Sequence, residues 1–199
     1  TPDEIRQFLE HVTLKYRTCF MTAILTGLRR GELVGLQGED IDWNHNQIHV
    51  RRSLWEGQVM PPKTKASVRR VDMTPTLAQE LRQHKFSRSI EDPGFVFCNA
   101  EGKPLNPDSL VRRQFLPALE RAGVKRVRFH DLRHTNVALR IEEGQNIKYI
   151  QNQMGHASIQ TTIDRYGHLL KDVNTEEAMK LDNALNFTEH LGNSSDSVR

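Results

Sequence analysis

HDLRHTNVALRIEEGQNIKYIQNQMGHASIQTTIDRY, residues 130–166, holds the densest chemistry in the chain. His130 is followed three residues later by Arg133, and on a helix positions i and i+3 share one face, so an imidazole and a guanidinium point the same way. A second box, Met154-Gly155-His156, brings another imidazole, and Tyr166 comes ten residues after His156, behind a helix-like run from Ser158 to Arg165. These side chains suit phosphoryl transfer. Arginine offers a planar fork of donors matched to phosphate oxygens. Histidine accepts or donates a proton near neutral pH, and a tyrosine hydroxyl is able to form a covalent intermediate. No acidic cage accompanies them, so the positive charge has to come from the protein itself, with no metal and no cofactor expected.

The N-terminal side of this stretch carries a basic approach, Lys125, Arg126 and Arg128. Before it, Asn106-Pro107-Asp108 opens a helix expected to run to about Ala122, with Arg112 and Arg113 on it and Gly123 ending it. Thr74 to Lys85 reads as a capped helix. Between Asp40 and Met73 the period changes to two: Gln47 to Leu54, Gln58 to Met60 and Val68 to Met73 predict a small antiparallel meander of three strands. Its second connection holds Lys63 and Lys65. At the N-terminal end, Thr1-Pro2-Asp3-Glu4 is a capping box ahead of an amphipathic helix with Ile5, Phe8, Leu9 and Val12 inward. Leu14 to Thr26 is a second helix, with Phe20, Met21, Ile24 and Leu25 facing the core. Gly27 suits a left-handed helix end, which puts Arg29 at a tight junction ahead of a short helix containing Glu32. Read singly, Arg29 and Arg30 also fit solvated surface charges, Glu32 a surface partner for Arg29, and Lys63 a loop lysine that keeps a strand edge soluble. On the other side, His130 to Glu142 is helical to near Gly144, and Asn146 caps Ile147 to Met154. A polar linker after Gly167 leads to a last helix, about Thr175 to Leu185, and the tail GNSSDSVR has the composition of a disordered end.

A chain of 199 residues is enough for one domain plus a tail and buries about 70% of its unfolded surface on folding. No apolar run approaches membrane-spanning length, and no N-terminal signal is visible. Cys19 and Cys98 sit in unlike contexts, which reads as a reduced, cytoplasmic protein, with a disulfide between them as the alternative. The net charge of +3 is uneven. Residues 172–199 hold six acidic against two basic side chains, a net of −4, which leaves +7 on residues 1–171. A basic body is a reason to consider nucleic acid.

Taken in order, TGLRRGEL (26–33), KTKAS (63–67) between strands, HDLRHT (130–135), MGH (154–156) and Tyr166 resemble the tyrosine recombinase family, most of all the catalytic domain of phage and integrative-element integrases. The likeness covers roughly residues 1–170. It implies an α+β, mostly helical catalytic domain over 1–171 with a small three-stranded antiparallel sheet. Residues 172–199 follow as a C-terminal helix and flexible tail, and a DNA-binding domain is expected upstream. It implies that Arg29 and Arg133 clamp the non-bridging oxygens of a scissile phosphate. His130 accepts the tyrosine proton or bonds the phosphate, Lys63 (with Lys65 the less favoured candidate) protonates the departing 5′ oxygen, and His156 donates to a non-bridging oxygen. Tyr166 is then the nucleophile of a 3′-phosphotyrosyl bond, with Glu32 and Asp131 in support. The implied partner is double-stranded DNA in the bacterial nucleoid, bound by a synaptic tetramer of a chain that is monomeric when free. Met154 stands where the family often has leucine.

Phosphate-tracking contacts are expected from Arg51, Arg52, Lys65, Arg69, Arg70, Arg112, Arg113, Lys125, Arg126 and Lys148, each of which singly also fits a solvated face. The segment after Asp172 docks either on a neighbouring subunit, through Ala178, Leu181 and Leu185, or on its own core. Three rivals stand beside this reading. His130-Asp131-x-x-His134 superficially echoes a zinc peptidase HExxH, but no third ligand is evident, and His134 reads as a packed helix residue. A DNA-binding relative without catalysis would lack one of the key residues. A type IB topoisomerase would share the chemistry without a defined site.

Overall fold

In a computed structural model, the described residues are 1–61, 67–87, 94–169 and Ala184, without the side chains of Arg165 and His168. Lys63, Lys65 and, Ala184 apart, the expected C-terminal helix lie outside them. The chain divides into two compact units, Thr1–Gly167 and His168–Arg199, and every element named below belongs to the first. Among the described residues no helix is long and apolar enough to cross a membrane.

Helix α1, Pro2–His11, starts on the expected capping box: the Glu4 amide bonds the Thr1 hydroxyl, and the Glu4 carboxylate reaches back to the Thr1 amine at 2.8 Å. Helix α2, Leu14–Thr26, ends on Gly27 at φ 64°, the left-handed geometry that glycine takes without a Cβ penalty. Phe8 of α1, Phe20 of α2, Phe115 and Phe129 pack ring to ring at centroid distances of 5.4 to 6.2 Å, edge-on or tilted as aromatic quadrupoles prefer. Phe129 immediately precedes His130, so this aromatic knot fixes where the HDLRHT box begins. The helix expected from Asn106 is capped by the Asn106 side chain but is interrupted. It consists of α5, Pro107–Leu110, a π-helical turn at Val111–Phe115, and α6, Leu116–Arg121. The wider turn absorbs one extra residue while Phe115 still points into the core.

The small sheet departs from the predicted meander. Strands β1, Ile41–Asp42, β2, Gln47–Val50, and β5, Arg69–Asp72, form the three-stranded antiparallel sheet in the order β1-β2-β5. The predicted strand Gln47 to Leu54 breaks at Arg51 and Arg52. Its second half, β3, Ser53–Trp55, pairs instead with β4, Gln58–Met60, as a separate two-stranded hairpin. Arg51 and Arg52 turn aside to pair with Glu39 and Asp40, which supplies the physical reason for the break. Helix α4, Pro75–Phe86, is capped by Thr74 and closes over α2.

Helix α3, Arg30–Val34, bears on the hairpin backbone. A Cβ on Gly31 would lie 2.8 Å from the Leu54 carbonyl oxygen, and one on Gly35 3.1 Å from the Leu54 nitrogen. Three helices follow: α7, Asp131–Glu142, α8, Ile147–Met154, and α9, Ile159–Tyr166. Val137, Ile141, Ile150, Met154 and Tyr166 form a second apolar cluster of their own. Gly31→Ala should therefore lower unfolding free energy by about 1–3 kcal/mol in a urea melt. Gly38→Ala, with open space at its Cβ, should stay within about 0.5 kcal/mol of the parent.

Candidate active site

Arg29 sits between two fixed points. Gly27 turns the chain out of α2, and Arg29 is the N-cap of α3, with its amide donating to Glu32 Oε2 at 2.9 Å and its guanidinium Nη1 to Oε1 at 2.8 Å. Glu32 also takes a two-pronged contact from Arg69, at 3.1 and 3.0 Å. Both side chains of that pair are 5% exposed. Burial alone would raise the Glu32 carboxyl, but the Arg69 bonds and the charges of Arg69 and Arg29 outweigh it and hold the carboxyl below its ordinary value. Arg69 reaches further, donating through Nε to the Gln153 carbonyl at 2.7 Å. Expected on a DNA-facing surface, Arg69 is instead an internal tie between α3, β5 and α8. The period of β5 carries the reason: Arg69 falls on the same face as Val71, which is fully buried. Asp72 adds a second tie, accepting from Gln47, Tyr149 and Gln153 side chains at 2.8 to 3.0 Å.

Arg133, in the first turn of α7, is 4% exposed. Its Nη1 donates to the Gly27 carbonyl at 2.7 Å and its Nη2 to the Met154 carbonyl. The same guanidinium thus holds the segment leading to Arg29 and the segment leading to His156. Burial, then the Arg29 and Arg69 charges, push Arg133 well below the usual arginine range. An anion bound among these guanidiniums would relieve that. Asn136 and Arg140 continue the stripe, donating to the Ile24 carbonyl at 2.8 Å and the Leu25 carbonyl at 3.4 Å.

His130, at the N-cap of α7, is exposed. Burial of part of its ring, then the charges of His134, Arg133 and Arg29, lower its pKa, so it is neutral near pH 7 and able to accept a proton. Asp131 takes the Arg128 amide at 2.8 Å and its guanidinium at 2.9 Å, which fastens the basic approach to the start of α7. His156 follows Gly155, at φ 64°, and its Nδ1 shares a hydrogen bond with the buried Thr162 hydroxyl at 2.8 Å. Tyr166 is 6% exposed, and its hydroxyl shares a hydrogen bond with Nδ1 of His134. His134, read from sequence as packing, is therefore the imidazole in contact with the phenol. The signal was its place four residues after His130, on the same helix face. Asn136 and Arg140 were also missed, although they continue that face at i+3 and i+7 from Arg133.

Of the remaining predicted surface cations, Arg52 is largely covered by its pairing with Glu39 and Asp40 and Arg51 is half-exposed beside Asp40. Arg70, Arg112, Arg113, Lys125, Arg126 and Lys148 are exposed. Arg30, Lys125, Arg126, Arg128, His130 and Asp131 line an open cleft of about 900 Å³, which shares His130 with the candidate site. Among the described residues no group of three or more His, Cys, Asp or Glu side chains is placed to hold a metal ion.

Residues 1–172 match the model of the phage integrase family. The chain belongs to that family. It is 34% identical over 200 residues to the ICEBs1 integrase of Bacillus subtilis (strain 168), covering 92% of this chain and 54% of the relative. The chain spans about half the length of the curated relatives it matches. Its fold is similar to that of the Tn1549 transposon integrase in complex with a circular intermediate DNA, with TM-score 0.75, 23% identity, and 93% of this chain and 65% of that one covered. It is also similar to the catalytic domain of bacteriophage HP1 integrase, with TM-score 0.63, 21% identity and coverage of 90% and 92%. The helical architecture with its small antiparallel sheet is that of tyrosine recombinase catalytic domains.

Glu32→Gln should cost about 3 kcal/mol at pH 7, because the buried Arg69 guanidinium loses its counter-charge. The folded-state carboxyl lies below its ordinary 4.5. Its contribution is therefore full above that pH and is lost as pH falls through the folded value. Urea melts of parent and variant should begin to draw together below about pH 4.5 and converge only once the pH has fallen below the folded value.

Proposed function

We propose that this chain is the catalytic part of a site-specific recombinase that cuts and rejoins double-stranded DNA, for integration or excision of a mobile element. The observation that carries the reading is the gathering of Arg29, Arg133, His130 and Tyr166 around one site beside a basic cleft, in a chain of the phage integrase family. The Tyr166 oxygen attacks a backbone phosphorus, and the P–O5′ bond breaks to leave a 3′-phosphotyrosyl link and a free 5′-hydroxyl. Arg29 and Arg133, with His156, stabilise charge on the non-bridging oxygens, and removal of one such donor typically costs about 3 kcal/mol. Lys63 protonates the leaving 5′ oxygen. The covalent bond conserves the phosphodiester, so rejoining needs no ATP. The Lys125–Arg128 approach tracks the phosphates through the cleft, and four copies synapsed on two duplexes complete the exchange.

The test is a pool of nicked duplexes of random sequence, with covalent adducts collected by detergent precipitation and the enriched duplex then used singly. The parent chain should form an adduct that survives EDTA, Tyr166→Phe should form none while still shifting the duplex, and Arg29→Ala should slow adduct formation by about 10²–10³. If the parent leaves no adduct, or Tyr166→Phe still makes one, the reading is wrong. Replacing both Lys125 and Arg126 by Ala should flatten the log affinity against log salt slope by about 2.

A further inference from the structure

We propose that His134 is the group that takes the proton from the Tyr166 hydroxyl as it attacks, with His130 as its neighbouring ring rather than the direct acceptor. This rests on the recombinase reading above. The phenol is not free to choose its partner. Its ring is packed with Val137, Ile141, Ile150 and Met154, which point the hydroxyl at α7, where Nδ1 of His134 meets it. The two rings lie 5.7 Å apart, and the His130 ring stands edge-on to His134 at 5.0 Å. His130 and His134, four residues apart on α7, therefore form a short line that runs from the exposed helix start to the buried phenol. The ionisable groups that act on this line are Asp131 on the same helix, Arg133 and Arg29 on the His130 side, and Tyr166 on α9. The charge of either ring disfavours protonation of the other at this distance, so double protonation of the pair is opposed.

The step balances. In the tautomer with its proton on Nε2, His134 offers the Nδ1 lone pair. The Tyr166 O–H bond breaks as N–H forms at Nδ1, O–P forms, and P–O5′ breaks, with the separate acid, Lys63, protonating the leaving oxygen. In rejoining, the 5′-hydroxyl gives a proton to that lysine and attacks phosphorus, the P–O bond to tyrosine breaks, and His134 returns its proton to the phenol oxygen.

The experiment is single-turnover cleavage of the adduct-forming duplex from pH 5 to 9. His134→Gln keeps a hydrogen-bonding group but takes no proton. It should slow cleavage at pH 7 by about 10²-fold or more, with duplex binding unchanged. Its rate should climb toward the phenol's own range near 10, where the parent has levelled off. Added imidazole should restore part of the rate in His134→Ala, which a merely structural role would not allow. Cleavage by His134→Gln within threefold of the parent and with the parent's pH profile overturns the proposal and returns the proton to His130. No adduct from the parent chain overturns the recombinase reading, and this step with it. Should the variants not fold, the parent chain labelled with carbon-13 at tyrosine Cζ answers instead. The Tyr166 line, assigned through Tyr166→Phe, should move as the histidine pair takes up protons with falling pH, and a flat line overturns the proposal.

Discussion

One buried guanidinium holds two helix ends. The last carbonyls of a helix lack intrahelical donors and carry the negative end of the dipole. Arg133 gives one N–H to the Gly27 carbonyl beyond α2 and another to the Met154 carbonyl at the end of α8. Each of those ends turns through a left-handed glycine, Gly27 or Gly155, and each leads within two residues to a side chain of the site, Arg29 or His156. The desolvation cost of the cation is offset by groups that would otherwise be unsatisfied. Asn136 and Arg140 serve further α2 carbonyls, so one face of α7 closes the whole C-terminal turn of α2.

A second polar centre works by the opposite sign. Glu32 is a buried carboxylate between two arginines, with Arg29 on the site side and Arg69 on the sheet side. Arg69 passes the connection to α8 through the Gln153 carbonyl. The electrostatics of the site are therefore built from a cation with carbonyl partners and an anion with cation partners. Both are satisfied by groups of the protein itself.

Helices with strong end signals were legible in the sequence. α2 and α8 run between the residues expected, because Gly27, Asn146 and Gly155 leave the chain little choice. The sheet was less legible. Alternation marks a stretch as extended but does not choose its partner, and Arg51 and Arg52 divert the chain to Glu39 and Asp40 between β2 and β3. The π-helical turn at 111–115 left no mark, since its extra residue changes register without changing composition. Arg29, Arg133, His130, His156 and Tyr166 stood out as boxes. Arg69 and His134 did not, because a lone arginine in a basic chain resembles surface charge and a helical histidine resembles packing. What separates them is a contact distant in sequence: residue 69 with residues 32 and 153, and residue 134 with residue 166.

Gly31 and Gly35 remove the cushion between α3 and the β3–β4 hairpin. Side chains between two elements flex and repack, and so absorb small displacements. Here main chain rests on main chain, two residues beyond Arg29. The hairpin and the Arg29 turn are therefore joined through close backbone contact, and a displacement of one leaves little room before it meets the other.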